Sequence, residues 1–271
     1  MLYNIATAKS ANESLVRLTG YTAKQIESFI QSYDDNDAFL LDVLQNNGIT
    51  VPQLDDIQIY ITHITTSVDS CRSIRETGLL CLHDVLQIDK AELTSFLTER
   101  GITIDVEKKR LSYRDTIRDI NFSKGGRGFM DSIDINPARA IGRKIYYDCG
   151  VCGFCHINPN RPYGSPVHHY PEILDDIDKA LGSKLKRDWN NRTQSYSISF
   201  YAPLSEIEYI DKTSLHECAN EDLYESLVEF ALDIASGCRN ELIAQCMSNT
   251  SIAPENLTIK PFSEWSESDS R

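Results

Sequence analysis

The sequence predicts an α+β fold, and three observations predict it. The β-branched and aromatic run from Ile59 to Thr65 suits a pleated strand. From Tyr196 to Leu204 the residues alternate, with Tyr196, Ile198, Phe200 and Ala202 on one side and Ser197, Ser199 and Tyr201 on the other. Apolar residues at helical spacing mark residues 10 to 48 and 223 to 238.

In chain order, Leu15, Val16 and Leu18 open an apolar pattern that Gly20 breaks. Thr22 and Gln25 have capping-box spacing ahead of Ile26, Phe29 and Ile30. An acidic turn, Asp34 to Asp37, precedes a further helix through Phe39, Leu40, Val43 and Leu44. Residues 1–55 therefore read as a small N-terminal helical cap, 56–262 as the main domain and 263–271 as an acidic tail. After the strand at Ile59, Thr66 and Ser67 are expected to cap a helix that buries Val68, Cys71 and Ile74 and stops at Gly78. His63 and Thr65 then leave one strand face beside helix amides, a favourable place to hold a ligand.

Residues 82–100 read as one or two helices, and 101–128 as irregular, with a loop from Ser123 to Gly128 that carries Lys124 and Arg127. Cys149, Cys152 and Cys155, followed by His156, stand at gaps that metal sites use. A zinc ion would take three of those four, with His168 or His169 as further ligands. The alternative is a buried strand through Val151, Phe154 and Ile157 with small thiols packed against a neighbour, and no second Cys-x-x-Cys pair completes a four-thiolate set. Pro171 is expected to start a helix reaching Lys186, Ile207 to Ile210 to form a short strand, and Gly237 to cap the helix from Leu223. Glu241 opens an apolar strand, and a turn at Pro254 returns the chain along Leu257 to Ile259.

Composition bounds the function. Of 271 residues, 41% are hydrophobic and 25% charged, ordinary for a globular protein. No apolar run reaches the length of a membrane span, and the first residues lack a secretory pattern, so a cytoplasmic protein without membrane contact is expected. The net charge of −13 argues against a protein that coats nucleic acid. Residues 101–147 hold ten Lys and Arg against six Asp and Glu, net +4, which leaves −17 for the remainder. The eight cysteines predict no disulfide framework.

Two strings resemble motifs of the ADP-ribosyltransferase superfamily. His63, Ile64 and Thr65, followed by Ile74, Gly78 and Leu79, are similar to its first motif, closest to the DNA-targeting toxin branch and to the His-Gly-Ser of the poly(ADP-ribose) polymerases. Glu241 at the head of a strand, followed by Ile252, Pro254, Glu255 and Leu257 and a partner strand, resembles the third. The resemblance spans residues 57–262. It implies a split β-sheet core with peripheral helices, NAD+ as substrate, and mono-ADP-ribosyl transfer to a macromolecular acceptor by a bacterial toxin, a defence factor or a phage-encoded modifier. It also implies a mobile loop over the pocket, for which Ser123 to Gly128 is the candidate. The acidic balance points to a protein acceptor rather than nucleic acid.

The chemistry behind these roles is general. Breaking the nicotinamide–ribose bond builds an oxocarbenium-like charge, which a fixed carboxylate stabilises. The resemblance assigns that carboxylate to Glu241, a ribose contact to His63, the nicotinamide carboxamide to the backbone of Ile64 with Thr65 assisting, and a supporting role to Thr66. It also calls for an aromatic on the nicotinamide, for which Tyr196 and Tyr163 come first, ahead of Tyr201 and Tyr147. Two departures stand out. Ile64 replaces the polymerases' glycine, and Arg239 stands where the arginine-modifying toxins carry a second acid, which disfavours arginine modification. Alternative readings are an NAD+ glycohydrolase, a catalytically inactive nucleotide- or partner-binding module of the same fold, and a zinc-stabilised interaction protein built on Cys149 to His156.

Overall fold

A mainly antiparallel sheet of eight strands organises the described residues. The computed structural model describes residues 1–32, 56–122, 137–147, 150–157, 167–211, 213–215, 219–238, 241–248 and 250–262. The sheet strands are β1 (Leu2–Tyr3), β2 (Gln58–Ser67), β6 (Cys152–Ile157), β7 (Gln194–Pro203), β8 (Ile207–Ile210), β9 (Thr213–Ser214), β10 (Glu241–Cys246) and β11 (Thr258–Pro261). Their order is β11-β7-β2-β6-β10-β8-β9, with β1 lying parallel on β2. Three further strands, β3 (Ile102–Asp105), β4 (Arg110–Tyr113) and β5 (Thr116–Asp119), form a separate antiparallel sheet.

The helices are α1 (Ala8–Thr19), α2 (Ala23–Ser32), α3 (Arg72–Thr77), α4 (Leu82–Val85), α5 (Glu92–Thr98), α6 (Ala138–Tyr146), α7 (Ile173–Leu181), α8 (Leu185–Asn190) and α9 (Asn220–Ala235). One face of the sheet carries the main core, where Ile59, Ile61, Ile198, Phe200, Leu242 and Ala244 meet α1 and α9. Tyr224 of α9 donates its hydroxyl to Leu18 O and Tyr3 donates to Leu227 O, which ties the first residues into that core. A second core gathers α5 to α8 with β3 and β4, around Phe96, Leu111, Ile141, Leu174 and Trp189. On the other sheet face Ile64, Phe154 and Ile157 form a small third cluster.

The capping box at Thr22 and Gln25 is present, each backbone N–H bonded by the other's side chain. The short strand at Ile207–Ile210 and the stop at Gly237 (φ +75°) stand as expected. Other elements differ. β2 runs on through Thr66 to Ser67 because its β-branched row continues and pairs with β7 throughout. The expected helix begins only at Arg72, after Ser70 and Cys71 take left-handed angles (φ 62° and 60°). Residues 102–119, expected to be irregular, hold β3 to β5. The helix after Pro171 breaks at Gly182 (φ +66°) into α7 and α8. β11 pairs with β7 at the far side of the sheet, with β7, β2 and β6 between it and β10, and not with the Glu241 strand. The Asp34 turn, the Phe39 helix, the Ser123 loop and the acidic tail lie outside the described residues.

Candidate functional site

β2 is a central strand that, among the described residues, lacks a partner along half of one edge. β7 pairs with it from Gln58↔Pro203 to Ser67↔Gln194. On the opposite edge β1 covers Gln58 and Ile59, and β6 meets it at Thr62↔Phe154. Among the described residues no strand pairs with His63–Ser67 on that side. The junction depends on Gly153, where a Cβ would stand 2.5 Å from Ile61 Cγ2 and 3.0 Å from Thr62 O. Past it the strands diverge, and a cleft of about 490 Å³ opens between His63–Ser67 and Gly150–Phe154. That volume falls in the range of small-molecule sites.

His63 bridges the gap. Its Nδ1 lies 2.7 Å from Cys152 O. A carbonyl only accepts, so Nδ1 carries the proton and Nε2 keeps a free lone pair. Burial lowers its pKa and the backbone bond offsets part of that, so the ring is neutral at pH 7. Cys152, Gln245 and Tyr209 form a polar network at the same end: Cys152 Sγ donates to Gln245 Oε1 (3.1 Å), Tyr209 donates its hydroxyl to the same oxygen, and Gln245 Nε2 donates to Glu208 (3.2 Å).

The far end of β2 is held by the second core. Trp189 Nε1 donates to Thr66 Oγ1 at 2.7 Å. Glu92, the first residue of α5, accepts from Ser67 Oγ (2.7 Å) and from the Val68 N–H. Burial raises the Glu92 pKa against the pull of those two bonds. Ile64, Phe154 and Ile243 supply an apolar wall. Lys144, with a side chain 14% exposed, meets Glu172 at 2.7 Å and both face the cleft.

His63, Ile64, Thr65 and Thr66, consecutive on β2, all line this cleft. Tyr196 does not: its ring lies in the main core at 5% exposure, with its hydroxyl on Ser70 Oγ. Tyr163 lies outside the described residues. The aromatics that do line the cleft are Tyr170 and Tyr209 beside Phe154 and Trp189. Glu241 is exposed at the head of β10, opposite Ile157, and is not among the lining residues. It shares a strand face with Ile243, which is.

The Cys-x-x-Cys stretch folds as strand β6. Cys155 is buried toward the main core, with its thiol pKa pushed up by burial, and His156 Nδ1 donates to Ala6 O (2.9 Å). Cys149 lies outside the described residues, and among those described no group of three or more His, Cys, Asp or Glu is placed to hold a metal ion.

The two resembling motifs do meet, through their downstream ends. Leu79 and Ile252 exchange both backbone bonds (2.9 and 3.0 Å), and Gly78, at φ +86°, leaves no room for a Cβ, which would stand 2.3 Å from Ile252 O. No helix among the described residues is long and apolar enough to cross a membrane. Comparison of the chain with family models, with curated proteins and with solved structures gives no match.

Proposed function

We propose that the chain is an NAD+-consuming mono-ADP-ribosyltransferase that binds the dinucleotide in the cleft beside β2. One observation carries the reading: the sheet opens directly after the residue pair Thr62↔Phe154, leaving the backbone of Ile64 and a fixed neutral imidazole turned to a cleft instead of a strand, while Thr65 keeps its backbone on β7. Backbone groups without a ladder partner are ready to bond a carboxamide. The Nε2 lone pair of His63 is ready to accept from a ribose hydroxyl. Lys144, exchanging Glu172 for a pyrophosphate, supplies the cation that the charged end needs.

Glu241 is the proposed acid for the oxocarbenium charge. It stands one two-residue step, about 7 Å, along the strand face from Ile243 in the cleft wall. In this reading the bond between nicotinamide and ribose C1′ breaks, nicotinamide leaves with the bonding pair, and a nucleophile on a protein acceptor takes its place. The net charge of −13 favours a protein over nucleic acid as acceptor.

A second reading is favoured by the position of Glu241 outside the lining: a module that binds the nucleotide without turning it over. One experiment separates them. Purified protein is incubated with NAD+, and both binding and nicotinamide release are followed. The transferase reading expects release that falls at least about a hundredfold in Glu241→Gln, with label passing to a protease-sensitive product in lysate. Binding without release selects the module, and neither binding nor release ends both.

A further inference from the structure

The free half of β2 is anchored by side chains of the second core. Thr66 accepts from Trp189, Ser67 donates to Glu92, and the Val68 N–H donates to the other Glu92 oxygen. Glu92 and Trp189 belong to one unit, because Phe96, one helical turn after Glu92, packs edge-to-face on the Trp189 ring at 4.8 Å. Ser67 Oγ in turn accepts from the N–H groups of Asp69 (3.2 Å) and Cys71 (2.8 Å), which holds the chain through the left-handed pair Ser70 and Cys71. Thr66 and Ser67 pair with β7 on one edge, and beyond that ladder these three consecutive residues at the open end of the cleft are held by α5 and α8, and none by β6.

We propose that Glu92 is a positioning residue for the cleft: by tying Ser67 and Val68 to the second core, it sets how far the free half of β2 stands from β6. Glu92 also lines the cleft, but both of its carboxylate oxygens are engaged by β2 and its continuation, which is the arrangement a positioning role requires. A half-buried carboxylate is costly to keep, more so with Asp69 nearby, and the two donors from the strand end offset part of that cost. The kinetic part of the proposal rests on the nucleotide reading above; the structural part does not.

The test uses the full chain carrying Trp265→Phe, which leaves Trp189 as the one indole. Glu92→Ala, Glu92→Gln and Ser67→Ala are compared with the parent. Solvent exchange of the Trp189 indole N–H is followed by NMR, and the KM for NAD+ and kcat by nicotinamide release. Glu92→Ala is expected to speed indole exchange about tenfold and raise KM about tenfold, with kcat within about threefold. Glu92→Gln, whose amide oxygen can still accept from one of the two strand donors, is expected to change both by less than Glu92→Ala does. Ser67→Ala, which leaves the carboxylate in place, is expected to resemble Glu92→Ala and keeps the test valid should that variant fail to fold. Unchanged indole exchange in Glu92→Ala and Ser67→Ala overturns the proposal. So does loss of kcat at unchanged KM in both Glu92 variants, which would make Glu92 a chemical participant. A parent protein that does not bind NAD+ ends the nucleotide reading, and the indole exchange alone then decides whether Glu92 holds the strand.

Discussion

The two halves of β2 share one strand and one partner, β7, yet among the described residues only the first meets further strands on its second edge. Gln58–Thr62 has β1 and β6 on its second edge, whereas His63–Ser67 has a cleft there. In the first half the backbone bonds its neighbours, and in the second the side chains of His63, Thr66 and Ser67 reach across to Cys152, Trp189 and Glu92. The difference teaches that, among the described residues, this site is made by withholding a strand. What a ladder would have fixed is fixed by three long-range side-chain bonds, leaving backbone groups available to a ligand.

The sharpest way to break that comparison is to make the same truncation in each half. Ile61 is fully buried in the main core, so Ile61→Ala is expected to cost about 2–5 kcal/mol in urea denaturation. Ile64 belongs to the small third cluster and lines the cleft, so Ile64→Ala is expected at the low end, about 2 kcal/mol. Equal costs would mean that the free half is as firmly packed as the paired one.

Local pattern made the paired regions legible and left the free one obscure. The alternation from Tyr196 onward placed Tyr196 with Ile198 and Phe200, and the structure buries all three together. The resemblance drew Tyr196 toward a ligand instead, and the alternation was the better guide to its place. The capping box at Thr22 and the stop at Gly237 were readable because each is settled within four residues. β3 to β5 were not, since four-residue strands such as Thr116–Asp119, all exposed, leave no apolar period. Glu92 and Trp189 reach β2 from 25 and 123 residues away, and nothing in their own segments marks them. Whether Glu241 lies in a cleft or beside it is likewise set by how β10 registers on β6, with a bulge between Leu242 and Ile243, and no sequence period records that.

A smaller effect sharpens the comparison at two threonines. Thr66→Val keeps the shape but leaves the Trp189 N–H buried without its acceptor, and is expected to cost about 1–3 kcal/mol. Thr62→Val, in the paired half, removes a hydroxyl contact to Ser199 (3.2 Å), whose own hydroxyl is half-buried and can turn to water, and is expected to cost about 0.5–1 kcal/mol. Should Thr62→Val prove the more damaging, the anchoring of the free half by Trp189 is not what holds it.

The finest distinction is one of pH, because the free half carries His63 and is held by Glu92, two half-buried groups shifted in opposite directions. The folded-state pKa of His63 is lowered by burial, so the unfolded chain takes up that proton more readily, and stability falls as pH drops below 6.5. The folded-state pKa of Glu92 is raised by burial, so the folded chain holds that proton more readily, and stability falls as pH rises from 4.5 through the raised value. The His63 slope acts from 6.5 downward and the Glu92 slope from 4.5 upward, opposite in sign and each at most about 1.4 kcal/mol per pH unit. His63→Asn keeps an N–H for Cys152 O but cannot titrate, so relative to the parent it is expected to make the stability slope more negative with rising pH. Glu92→Gln is expected to make it more positive. Urea midpoints measured every half unit between 4.5 and 6.5 resolve the two. If both substitutions tilt the slope the same way, the two groups do not occupy the opposed environments that the open edge of β2 gives them.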